Sequence, residues 1–277
     1  MVDISMTRLH EITIILYAIS VLCYFVDFLH NNRKANRFAF WLLSIVWLLQ
    51  TIFLFLYMMN AGRFPVLTIF EGLYFYVWVL VTLSLCVNAL KKIDFIVFFT
   101  NILGFAVMVI HTFTPIQNGS QIVAQQLMSE LLLIHIMMAF FAYGAFTISF
   151  VLSILYLIQY DLLKRKKWGK RLKRLGNLAS LENLSYLLNV IALPVLCCAL
   201  IIGVKWANIK LPEIDWFDSK IIGSFFIIMI YSIFIFVKLR KQVNGKNLAY
   251  FNIASFLIVL LNFFLFGSLS EFHYWNT

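Results

Sequence analysis

Five histidines are spread along the chain, His10, His30, His111, His135 and His273. An imidazole nitrogen is a metal ligand and a group that titrates near neutral pH. One stretch concentrates other side chains suited to holding a ligand. Gly203-Val-Lys-Trp206-Ala-Asn-Ile-Lys-Leu-Pro-Glu-Ile-Asp-Trp216-Phe217-Asp218-Ser-Lys220 sets three flat aromatic faces among lysines and carboxylates. Glu71 lies in the apolar run Phe64-Pro65 to Trp78, where an ionised carboxylate needs a hydrogen-bonding neighbour such as a histidine or a backbone amide. Asp27 and His30 stand at i, i+3, the spacing of a pair on one helix face. Cys23, Cys86, Cys197 and Cys198 all fall in apolar runs, and no Cys-x-x-Cys occurs. That excludes the usual thiol oxidoreductases and covalent haem attachment, and reads the four as small buried hydrophobes. Glycine-rich phosphate loops, Gly-x-Ser-x-Gly and His-Glu-x-x-His are also missing.

These residues need elements to position them, and composition decides which. Of 277 residues 63% are hydrophobic and only 12% charged, with a mean hydropathy of +0.92. That is the composition of an integral membrane protein, since soluble domains carry about twice as much charge. A helical span needs about 20 apolar residues. Eight such runs are present, near Ile12–Leu29, Phe38–Met59, Leu67–Leu90, Ile93–Phe113, Leu131–Gln159, Leu184–Val204, Ile221–Val237 and Leu248–Gly267. The first is too long for a signal peptide and has no basic start, so it reads as a true span. The expected fold is an all-α polytopic bundle forming a single membrane domain over residues 1–277.

The net charge of +10 sorts by side. Placing the amino terminus outside leaves only Arg8, Arg63, Lys205, Lys210 and Lys220 of the 22 basic residues on the outer face, in accord with the positive-inside bias. Both termini are then outside, with an external loop over 205–220 and a basic cytoplasmic loop over 161–180. The cluster Lys164, Arg165, Lys166, Lys167, Lys170, Arg171, Lys173 and Arg174 has the composition of a juxtamembrane segment on anionic lipid. It is also the one inner feature large enough to meet an acidic cytosolic partner, whereas nucleic acid is not expected.

On this topology His10, His111, His135 and His273 all lie at the outer boundary. Two histidines facing across a flat apolar slot are what bis-imidazole ligation of haem iron requires. Trp206, Trp216 and Phe217 offer the slot, and Arg63, Lys205, Lys210 and Lys220 are cations for the two propionates. An interfacial aromatic belt has the same composition, and residue types alone leave both readings open.

Several runs carry a resemblance to a known family. They are Phe64-Pro65 through Glu71-Gly72-Leu73 to Trp78, then His135 with Tyr143-Gly144, Leu184-Ser185-Tyr186, Gly203-Val-Lys-Trp206, Asp218-Ser-Lys220 and Phe272-His273. Together they resemble the cytochrome c assembly family of CcsA, ResC and CcmC, from about residue 60 to the end, and within it most nearly the HemX branch. The resemblance implies a bacterial multi-pass membrane protein, not an enzyme, that binds b-type haem non-covalently at an external tryptophan-rich (WWD) loop. It makes His135 and His273 the axial ligands and Trp206 and Asp218 the two ends of the loop motif. Trp216, Phe217, Lys220, Glu71 and Trp78 complete the expected pocket, with His10, His111 and Arg63 as secondary candidates. The branch implies a role in regulating haem biosynthesis through the level of glutamyl-tRNA reductase, a cytosolic partner for the basic loop. The wider family implies, alternatively, presentation of haem for c-type cytochrome maturation. Two departures favour holding haem over handing it on. Phe217 stands where the family has Trp, and the helix after the loop lacks the family's transmembrane histidine, as Tyr231-Ser-Ile-Phe-Ile-Phe-Val-Lys238 shows.

Overall fold

The computed structural model describes residues 2–66, 68–91, 94–113, 129–166, 174, 177–210 and 216–266. His273, Lys167, Lys170, Arg171 and Lys173 lie outside them. Among the described residues there is no strand and there are eight helices long and apolar enough to cross a membrane. They are α1 (Val2–His30), α2 (Arg33–Ala61), α3 (Ile69–Lys91), α4 (Asp94–Phe113), α5 (Glu130–Lys164), α6 (Leu178–Lys210), α7 (Ser219–Leu239) and α8 (Lys246–Leu261). A single π-helical turn, Asn262–Phe266, follows α8. Every expected span is present, so the chain is a multi-pass all-α membrane protein.

Local chemistry explains where the helices start and stop. Asn31 takes the left-handed conformation at φ 52°, which asparagine tolerates better than most residues. Asn32 then caps α2 by accepting hydrogen bonds from Lys34 N and Ala35 N. Gly62, at φ 64°, closes α2, the position where a residue without a Cβ is preferred. Ser129 caps α5 through Leu132 N.

By contacts the chain divides into two compact units, residues 1–115 with 166–176 and residues 116–165 with 177–277. In the first, α2 and α3 are joined by a closed ring of four hydrogen bonds. Trp47 Nε1 donates to Thr82 Oγ1, which donates to Trp78 O, while Trp78 Nε1 donates to Thr51 Oγ1, which donates to Trp47 O. No polar group in the ring is left over, the condition for burying them in hydrocarbon. At the opposite end from the chain's start, Arg174 grips Asp27 with two bonds of 2.7 Å, and Asn36 Nδ2 adds a third at 2.9 Å. The Asp27 side chain is 1% exposed. The expected pair of Asp27 with His30 is thus replaced: the carboxylate faces Arg174 and Asn36, and His30 is exposed.

In the second unit, α5 and α6 approach closely because small residues line the contact. Ala192, Ala199, Gly203 and Ala207 form a buried face of α6, and Ala142, Gly144, Ala145, Ser149 and Ser153 are buried on α5. Small residues let helix backbones near each other where lipid gives no hydrophobic drive for association. A polar cluster locks the same helices to α8: Asn252 Nδ2 lies within 2.8 to 3.2 Å of Ser149, Ser153 and Ser185 oxygens, and Asn189 Nδ2 donates to Asn252 Oδ1 at 2.8 Å. Of the cysteines, Cys86 and Cys198 are exposed on their helices while Cys23 and Cys197 are half-buried. The expectation of four buried thiols fails because these helix faces are turned outward.

Candidate functional site

His135 sits on the second turn of α5, and its side chain is held from α6. Its Nδ1 is 2.6 Å from the carbonyl oxygen of Ala199. A carbonyl only accepts, so Nδ1 carries the proton and Nε2 is left with its lone pair, the tautomer of a metal-ligating histidine. Gly203, one turn beyond Ala199, makes room for the ring. A Cβ there would meet His135 Nδ1 at 2.6 Å and Cε1 at 2.7 Å. Lys220 on α7 lies within electrostatic reach of the same imidazole, and its Nζ stands 5.5 Å from the centre of the Phe263 ring.

The stretch expected as a loop over 205–220 is helical in its first part. α6 continues through Trp206 to Lys210, because nothing breaks it before Pro212, which disfavours helix at the residue preceding it. Trp206 is 5% exposed, packed beside Ala207 on the same face as Gly203. Trp216 and Phe217, at 54% and 85% exposed, form the turn before α7. Asp218 caps α7, accepting from Lys220 N at 2.9 Å and Ile221 N at 3.3 Å. The end of the loop motif therefore starts a helix and orients Lys220 on its first turn.

Glu71 belongs to the first unit and is fully engaged. Arg63 meets it with Nη1 at 2.9 Å and Nη2 at 2.7 Å, and Tyr57 OH donates at 2.9 Å. Thr68 and Glu71 also form a reciprocal capping box at the start of α3: Thr68 N donates to Glu71 Oε2, and Glu71 N to Thr68 Oγ1. The Thr-x-x-Glu spacing is a readable signal for that role. Burial opposes the Arg63 charge, but the hydrogen bond and charge of Glu71 outweigh it and hold the guanidinium above its ordinary pKa. Arg63 is bound up in this pair and is not an open cation for a propionate. Trp78 is in the Trp–Thr ring described above.

His10 and His111 are also brought together in the first unit, ring centroids 4.9 Å apart and edge to face. Of the basic cluster, Arg174 is buried against Asp27, and Arg165 forms an exposed pair with Asp161. Sequence reasoning missed Ala199, whose role is played by its backbone and has no residue-type signal. It also missed the Arg174–Asp27 pair, which joins residues 147 positions apart.

Residues 66–273 match the family described as cytochrome C assembly protein. The chain belongs to that family. It is 54% identical over its whole length to the full length of Protein HemX of Bacillus subtilis (strain 168). Protein HemX of Brevibacillus brevis is 42% identical, over 96% of this chain and 97% of that one. A more distant relative is the cytochrome c biogenesis protein CcsA of Chlamydomonas reinhardtii, 25% identical over 82% of this chain and 65% of its own. Membership makes the chain a HemX-type membrane protein, and it covers the reach of α3 to beyond α8.

Proposed function

We propose that this HemX-type protein holds one b-type haem non-covalently at the outer face of the bacterial cell membrane and acts in the regulation of haem biosynthesis, through the level of glutamyl-tRNA reductase. The observation that carries the reading is the His135–Ala199 hydrogen bond of 2.6 Å, which fixes the ring and presents Nε2 as a ligand. Lys220, within electrostatic reach of that ring, would meet a propionate, and Trp206, Trp216, Phe217 and Asp218 would shape the surroundings. His273 is the proposed second ligand. The haem iron would supply the redox-active, ligand-binding centre, and His135 and His273 would hold it. Regulation is non-catalytic in this reading, with Lys164, Lys166 and their neighbours in the basic loop meeting the cytosolic partner.

Purified protein tests the reading through its Soret band. His135→Ala and His273→Ala each shift or weaken the band, whereas His30→Ala leaves it unchanged. Two wild-type spectra from the two outer variants defeat the ligand assignment, and a wild-type preparation without a Soret band defeats haem binding. The CcsA relative favours a second reading, presentation of haem for cytochrome c maturation. Loss of covalent c-type haem in a strain deleted for the gene, with an unchanged glutamyl-tRNA reductase level, selects it.

A further inference from the structure

The first unit contains a second cluster of ligand-type groups that the reading above does not use. His111, near the end of α4, is 0% exposed, and neither of its ring nitrogens has a hydrogen-bond partner among the described residues. The same is true of His10 Nδ1 and the Tyr74 hydroxyl. The three rings are neighbours: the His10 ring centroid is 4.9 Å from that of His111 and 5.8 Å from that of Tyr74, and the His111 and Tyr74 centroids are 5.3 Å apart. A buried polar group without a partner is costly, and several side by side call for a water or an ion to satisfy them.

Geometry narrows what the ligand is. With metal–nitrogen bonds of about 2 Å, rings whose centroids are 4.9 Å apart are spaced to share one ion at an angle of about 100°. That is a cis arrangement suited to a tetrahedral or trigonal ion. A porphyrin between two coaxial imidazoles needs the rings farther apart and on opposite sides. The surroundings select softness and low charge. Met6 lies one turn before His10 on α1, and Met108 one turn before His111 on α4; both methionines are buried in the same cluster as Tyr74 and Phe53. Thioether and imidazole ligands favour copper(I). Among the described residues no group of three His, Cys, Asp or Glu side chains converges on a metal site. The nearest carboxylate in sequence, Glu11, is exposed and paired with Arg8 at 3.0 Å. Since the cost of burying an ion rises with the square of its charge, an apolar pocket of neutral ligands discriminates against a divalent metal.

We propose that the first unit binds one copper(I) ion between His10 and His111, with Met6 and Met108 supplying soft flanking ligands. The site is distinct from His135 and independent of whether haem binds there. Anaerobic titration of copper(I), kept reduced with ascorbate and competed against bicinchoninate, tests it on purified full-length protein. Wild type withdraws one equivalent per chain from the chelator. His111→Gln and His10→Gln each weaken binding about 100-fold, Met108→Leu about tenfold, and His135→Ala leaves it unchanged. Failure of wild type to compete overturns the proposal, as does a His10→Gln or Met108→Leu variant that titrates like wild type. Displacement of copper(I) by equimolar zinc(II) overturns the choice of ion.

Discussion

The α-carbon of Gly203 faces the imidazole of His135 so closely that a methyl group there would stand 2.6 Å from Nδ1. Two residues that the sequence separates by more than a helix thus define one position: the glycine is the space into which the ring folds, and Ala199, one turn earlier, is what the ring bonds. The tautomer of His135, with Nδ1 protonated toward Ala199 O and Nε2 bare, depends on there being only a hydrogen atom at Cα of Gly203 on another helix.

Gly203→Ala tests this relationship directly. In an unhindered helix the change stabilises by about 1 kcal/mol, whereas forcing a methyl against a packed ring costs about 1–3 kcal/mol. The clash wins, so thermal stability falls and the Soret band shifts as His135 leaves Ala199 O. A variant that melts at or above the wild-type temperature with an unaltered spectrum contradicts the packing described.

Much of the architecture could be read from the chain because it rests on composition. Apolar runs of about 20 residues must be helices in a bilayer, and all eight are legible in the sequence. Their ends were less so. α6 outruns its hydrophobic stretch by carrying Lys205, Trp206 and Lys210 in helical turns, since polarity sets where hydrocarbon ends and not where a helix does. The pairings were illegible for a different reason. The apolar setting of Glu71 demands a partner, but the choice of Arg63 and Tyr57 is made by tertiary packing, and only the local Thr68–Glu71 box is written in the spacing. Helical periodicity points Asp27 at His30, yet a guanidinium with two parallel bonds outcompetes a neighbouring imidazole.

Arg63 and Glu71 provide a stability test with an internal contrast. Their side chains are 6% and 2% exposed, so removing one partner strands a buried charge, at about 3–5 kcal/mol. Arg63→Ala and Glu71→Gln therefore each lower the thermal midpoint sharply, while the apolar double variant Arg63→Met with Glu71→Leu recovers a large part of the loss. The Arg8–Glu11 pair is 73% and 50% exposed, and Arg8→Ala changes stability by less than about 1 kcal/mol. Equal effects from Arg63→Ala and Arg8→Ala, read by the same melting assay, refute the distinction.

Within the basic cluster Arg174 has a structural role, and Arg165 pairs with Asp161 at the surface. Arg174 is 8% exposed, bidentate on Asp27, with its guanidinium carbon 5.0 Å from the Phe95 ring centre. Arg174→Gln thus destabilises the first unit, and its consequences for regulation cannot be separated from folding. Replacing Lys164, Lys166, Lys167, Lys170, Arg171 and Lys173 by Gln, while keeping Arg174 and the Arg165–Asp161 pair, removes most of the charge that an acidic partner would recognise. On the regulatory reading, cells carrying that variant accumulate glutamyl-tRNA reductase as a deletion strain does, and the purified variant keeps its Soret band and melting temperature. Immunoblotting of the reductase beside the spectrum decides it. Wild-type reductase levels with all six lysines and arginines neutralised exclude the loop as the docking site and leave the signal to cross the membrane by another surface.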